Sequence, residues 1–158
     1  MFNKEFWEIL SFVVTTLALP FAIVIFLYEQ RRERRNEEEA EYQLLSDAYN
    51  DFLKVVLSQP DLRLRSSAAA QDLSPEQEER MLVIFDMLIS LFERAYLVAY
   101  QPRMSQDEAR RWNSWEDFMR EWCRRESFRK RLPQLLRGED PEFAAYIERL
   151  AREESATT

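Results

Sequence analysis

The sequence predicts an all-α protein: one N-terminal transmembrane helix continuing into a small cytoplasmic bundle of about four to five helices. Three observations carry that prediction. Ile9 to Leu27, ILSFVVTTLALPFAIVIFL, contains no charged side chain. Beyond it, apolar residues recur at helical spacings of three and four, not at the alternation of a strand. Finally, the chain of 158 residues holds a single glycine, Gly138, whereas strand-rich folds depend on glycine at turns and bulges.

The first element is the uncharged run. As a helix it would be about 28 Å long, close to the roughly 30 Å hydrocarbon thickness of a bilayer. A signal peptide is less consistent with it, because Lys4, Glu5 and Glu8 give a mixed start and Ile23 to Leu27 follow the small residues near its end. A core helix would keep a polar face, and this run has none. Arg31, Arg32, Arg34 and Arg35 follow it while Lys4 is the only basic side chain before it. The positive-inside rule then orients the N-terminus outward and the remainder into the cytoplasm, at the inner membrane. Trp7 and Tyr28 stand at the two expected membrane boundaries. Pro20 removes one backbone donor and leaves the Thr16 carbonyl without its partner, which predicts a helix kink. The expected organisation is an anchor over 1–28, a charged stalk over 29–41, a helical domain over 42–151 and a fraying tail over 152–158.

The stalk carries only Ala40 as an apolar side chain from residue 31 to 41. Tyr42, Leu45, Tyr49, Phe52 and Val56 then form one stripe on a helix that ends before Pro60. A connector leads to Ser74-Pro75-Glu76-Gln77, a capping box with proline at the first helical position. The helix behind it shows Leu82, Phe85, Ile89, Phe92, Tyr96 and Ala99 on one side and stops at Gln101-Pro102. A second capping box, Ser105 to Glu108, opens a helix bearing Trp112, Trp115, Phe118, Met119 and Trp122. A shorter piece from Glu126 to Leu136 ends near Gly138, and Asp140-Pro141-Glu142 starts the last helix, with Phe143, Tyr146, Ile147 and Leu150 inward.

Composition removes whole classes of chemistry. Histidine is absent and Cys123 is alone. No Ser-His-Asp or Cys-His arrangement can form, nor a zinc site of the usual ligands, and one glycine excludes a glycine-rich phosphate loop. A single cysteine also rules out a disulfide within the chain and fits a reducing compartment. No catalytic residue, cofactor or metal is expected. The net charge of −7 and the expected tether argue against nucleic acid as a ligand.

Against that acidity stands a basic cluster interleaved with aromatics: Arg120, Arg124, Arg125, Arg129, Lys130 and Arg131 among Trp112, Trp115 and Trp122. These residues are the candidate surface for a protein partner or for anionic lipid. The competing readings are that the tryptophans fill a core and that the cations pair with the chain's own carboxylates. The expected function is a non-enzymatic interaction or regulatory module, membrane-anchored, presenting its helical domain to a protein partner or to a second copy. A carboxylate-based or metal-assisted enzyme using Asp86, Glu93 and Glu116 with Arg94 is the alternative, and an oligomeric membrane pore a third.

The segments YQLLSDAYNDFLKVVLSQPDL, IFDMLISLFERAYLV, WNSWEDFMREWCRRESFRKRL and DPEFAAYI, with the tryptophan spacing from Trp112 to Phe128, resemble a group of small bacterial membrane-anchored helical proteins of unknown function. The resemblance implies the same single span and cytoplasmic bundle. It brings no catalytic residues with it.

Overall fold

A computed structural model describes the backbone of residues 4–66 and 72–156; side chains are described within these stretches except at residues 4–19, 34, 35 and 38. Among the described residues every regular element is helical. Helix α1 is Lys4–Leu57, followed by a short 3-10 turn at Pro60–Leu62, then α2 (Pro75–Ala99), α3 (Gln106–Cys123), α4 (Glu126–Leu135) and α5 (Pro141–Ala156). The chain divides into two compact units, Met1–Tyr42 and Gln43–Thr158, with α1 contributing to both.

In the first unit the expected membrane span is not upheld. Among the described residues, no helix is long and apolar enough to cross a membrane. Of the uncharged run Ile9 to Leu27, the described side chains begin at Pro20, and Glu29 and the basic residues from Arg31 follow it within the same helix. Residues 9–19 lie outside the described side chains. The transmembrane, single-pass and membrane-anchored assignments fall with that finding, as do the boundary roles that depended on them. Tyr28, Arg31 and Arg32 are exposed residues of α1; Trp7, Arg34 and Arg35 lie outside the described side chains. Pro20 lies inside α1.

The second unit is a helical bundle built on α2. Both capping boxes form. The Ser74 hydroxyl accepts from the Gln77 backbone N–H while the Gln77 side chain accepts from Ser74 N–H, and Ser105 and Glu108 do the same for α3. Each satisfies two otherwise orphaned helix-terminal donors. Asp140 opens α5: its carboxylate accepts from the backbone N–H of Glu142 and Phe143, with Pro141 in the first turn, where its missing donor costs nothing. Gly138 takes φ +94°, a left-handed conformation that turns the chain from α4 toward α5.

The stripes read from sequence meet in one core. Phe85, Leu88, Ile89 and Phe92 of α2 are fully buried, as are Met119 and Trp122 of α3, Phe128 of α4 and Phe143, Ile147 and Leu150 of α5. The aromatics sort into two contiguous groups. Tyr49, Phe52, Trp115, Phe118 and Trp122 join the start of the domain to α3 through ring contacts of 4.4–6.1 Å. Tyr96, Tyr100, Trp112 and Tyr146 close the other end at 4.7–5.9 Å. Such centroid spacings and mostly tilted or edge-on planes are those that aromatic quadrupoles favour.

Residues 152–156, expected to fray, instead continue α5. Glu153 and Glu154 are held there by ion pairs with Arg120, at 2.8 and 3.2 Å, and Glu154 also pairs with Arg124 at 2.8 Å. These contacts bridge 30 residues or more of sequence, so no local pattern reveals them.

Candidate functional site

The tryptophans proposed as a recognition surface are core. Trp112, Trp115 and Trp122 are 3, 1 and 0% exposed. The indole N–H groups of Trp112 and Trp122 are satisfied internally: Trp112 Nε1 donates to Tyr146 Oη at 3.0 Å and Trp122 Nε1 to Tyr49 Oη at 3.3 Å. Any surface in this region is left to the cations, and their positions divide them into structural and available groups.

Arg120 is structural. Its guanidinium lies 2.7 Å from Glu116, 2.8 Å from Glu153 and 3.2 Å from Glu154, and the Tyr146 hydroxyl donates to the same Glu116. Burial works against ionisation of Glu116, but hydrogen bonds from Tyr146 and Arg120 prevail and hold its carboxyl below the usual range. Arg129 is also structural. It donates to the backbone carbonyls of Cys123 and Arg124 at 2.7 and 2.6 Å, closing the C-terminal end of α3 where the helix leaves acceptors unfilled.

The remaining cations, together with Arg129, line a cleft of about 1030 Å³ between the connector after α1 and the α3–α4 corner. Local backbone geometry makes both walls. Arg63 adopts a left-handed conformation (φ 47°, ψ 37°) as it ends the 3-10 turn, with Leu62 and Leu64 on either side of it buried while Arg63 and Arg65 are exposed. On the opposite wall α3 ends at Cys123, Arg125 is extended (φ −83°, ψ 121°), and α4 begins at Glu126. The corner projects Arg125, Ser127 and Lys130 toward the connector.

Within the cleft lining, Arg65 and Arg125 converge on one carboxylate. Glu121 is 2.8 Å from Arg65 and 3.5 Å from Arg125. Both guanidiniums also lie over the Trp122 ring, at 5.9 and 4.8 Å from its centroid. Burial, followed by repulsion from Arg65, lowers the pKa of Arg125. The other cations have separate partners: Lys130 pairs with Glu126 at 2.7 Å, Arg131 with Glu78 at 3.6 Å and Arg124 with Glu154. Among the described residues Arg63 forms no ion pair.

Sequence reading found the α3–α4 cations but missed Arg63 and Arg65. A signal was present: Leu62-Arg63-Leu64-Arg65 alternates apolar and basic, a pattern of side chains facing inward and outward by turns.

The carboxylates of the enzymatic alternative do not form one centre. Glu116 belongs to the Tyr146–Arg120 network. Glu93 accepts from the Asp140 backbone N–H at 2.5 Å and shares a hydrogen bond with Glu139, whose pKa rises to about 7 through that bond, burial and the Glu93 charge. Asp86 is exposed on α2. Among the described residues no group of three or more Cys, Asp or Glu side chains is placed to hold a metal ion. Cys123 is fully buried, and burial pushes its thiol up to about 12, the environment of a packing residue and not of a nucleophile.

No family model matches the chain, and neither does any curated protein or solved structure.

Proposed function

We propose that the protein is a non-enzymatic interaction module whose helical domain, residues 43–158, receives an acidic segment of a protein partner in the basic cleft. One observation carries this reading: the local inversion of charge. Seven lining side chains are Arg or Lys and two are Glu, in a chain whose net charge is −7. Counting every ion pair that these cations form, four carboxylates answer them. Among the described residues three positive charges on this face are left without a carboxylate, one of them on Arg129, whose donors are spent on backbone carbonyls, and complementarity of that kind steers encounter and sets specificity. A cleft lined mainly by arginine suits planar oxyanions, because each guanidinium presents a fork of donors.

The test is a photoreactive amino acid introduced at Ser127, which lines the cleft, in cells expressing the whole chain. An Arg63→Glu/Lys130→Glu variant is run in parallel. A discrete adduct that maps to an acidic segment and disappears in the charge-reversed variant supports the reading. An adduct indifferent to charge reversal, or none at all, refutes it. An adduct with a second copy of the chain identifies self-association in place of a separate partner.

A further inference from the structure

The cleft is least neutralised where Arg65 and Arg125 share Glu121. One carboxylate there answers two guanidiniums, while Arg63, two residues before Arg65, has no ion pair among the described residues. Packing holds the pair in place: Arg125 lies 4.8 Å over Trp122 and donates to the Glu121 backbone carbonyl at 2.5 Å, so its head group is positioned before any ligand arrives. A preset guanidinium loses less freedom on binding than one gathered from solvent.

Three uncompensated charges on a single concave face ask for a dense anion. A carboxylate brings one charge and two acceptor oxygens. A phosphomonoester brings about −1.5 to −2 and three acceptor oxygens that radiate tetrahedrally, which lets several guanidiniums bind one group. One phosphate with an acidic neighbour would neutralise the surplus, whereas acidic side chains alone would have to bring three carboxylates into the same cleft. Six of the seven lining cations are arginine, whose forked donors can meet phosphate oxygens in pairs.

We propose that the cleft recognises a phosphorylated serine or threonine within an acidic stretch of the partner, the phosphate being held by Arg63, Arg65 and Arg125 with Lys130 at the rim. The inference rests on the interaction-module reading and narrows its ligand. Lowering of the Arg125 pKa by burial and by Arg65 is consistent with a site that an added anion would relieve. The acidic neighbours of the phosphate would meet Lys130 and Arg131, whose own partners Glu126 and Glu78 are exposed and readily exchanged.

The experiment uses the full-length protein and two fluorescent degenerate peptide libraries. Each is enriched in Asp and Glu around a fixed central residue, phosphoserine in one and serine in the other. Binding is read by anisotropy at low and near-physiological salt. The phosphoserine library is expected to bind roughly tenfold tighter or better, the increment of about one strong charge-assisted contact set. Arg65→Gln should remove most of that preference while weakening the serine library less. Arg65→Lys, which keeps the charge but loses the fork, should fall between. Because the Arg65 side chain is 44% exposed, these variants leave the core untouched, and circular dichroism checks it. Equal binding of both libraries overturns the phosphate proposal and leaves the acidic-segment reading standing. Binding of neither library overturns both. A phosphate preference that survives Arg65→Gln and Arg63→Gln unchanged shows that the phosphate is read elsewhere.

Discussion

Replacing Tyr146 with phenylalanine isolates the polar network at the centre of the α3–α5 contact. The ring is retained, so no cavity forms and the stacking partners Tyr96, Tyr100 and Trp112 keep their neighbour. Only the hydroxyl is lost, and it has two roles: it accepts from Trp112 Nε1 at 3.0 Å and donates to Glu116. Trp112 is 3% exposed, so its indole N–H would be left buried without a partner, at a cost of about 1–3 kcal/mol. The bond to the Glu116 carboxylate is charge-assisted and adds about 1.5 kcal/mol, reduced because Arg120 still serves that carboxylate. The two terms share one hydroxyl and do not sum fully, giving a destabilisation of about 2–3 kcal/mol. For a domain of this size that is a fall in Tm of roughly 10 °C. The assay is urea unfolding followed by tryptophan fluorescence, with the slope against denaturant expected to stay constant while the midpoint falls. Tyr49→Phe is the internal comparison. It strands Trp122 Nε1 in the same way but breaks no bond to a carboxylate, so its cost should be about 1–2 kcal/mol. A loss below about 0.5 kcal/mol for Tyr146→Phe would refute the argument that this network holds α5 to α3.

Other expectations concern sites apart from that network. Glu139, with its pKa raised to about 7 in the folded chain, binds a proton that the unfolded chain releases near 4.5. Its contribution to stability is therefore complete below the unfolded value and lost as pH rises through about 7. The stability difference between the protein and Glu139→Gln, measured from pH 5 to pH 8, should shift in favour of the variant as pH rises; a pH-independent difference would sink this reading. Glu116 and Glu154 have lowered pKa values and act with the opposite sign, losing their contributions only at acid pH below that window. Cys123 should react with a thiol reagent at pH 8 only after urea unfolding, and fast stoichiometric labelling of the folded protein would contradict its burial. Ser74→Ala removes one half of the α2 capping box and should cost about 1 kcal/mol in urea unfolding; no measurable change would show that the cap contributes nothing.

Much of the helical domain was legible because its signals are local. The Ser74 and Ser105 boxes, the proline at the start of α2 and the 3–4 spacing of Phe85, Ile89 and Phe92 each report on a few successive residues, and helix formation obeys just such short-range rules. The same reasoning misjudged the tail, because helix continuation there depends on Arg120 and Arg124, which no sequence window around Glu154 contains. It could list tryptophans and arginines from 112 to 131 but not sort them, since a residue at helical spacing faces a partner helix or the solvent according to what packs against it.

The amino-acid sequence by itself determined the helical class, the start points of α2 and α3, the absence of imidazole and disulfide chemistry, and the excess of positive charge around α4. Those follow from composition and from periodicities a few residues long. Only the tertiary structure decided that Trp112, Trp115 and Trp122 fill the core, that Arg120 and Arg129 are consumed by the bundle itself, and that Arg63 and Arg65 join Arg125 and Lys130 across a cleft. The physical reason is that burial and ion pairing depend on distances between segments far apart in sequence: Arg65 meets Glu121, and Arg124 meets Glu154, only after the helices have packed.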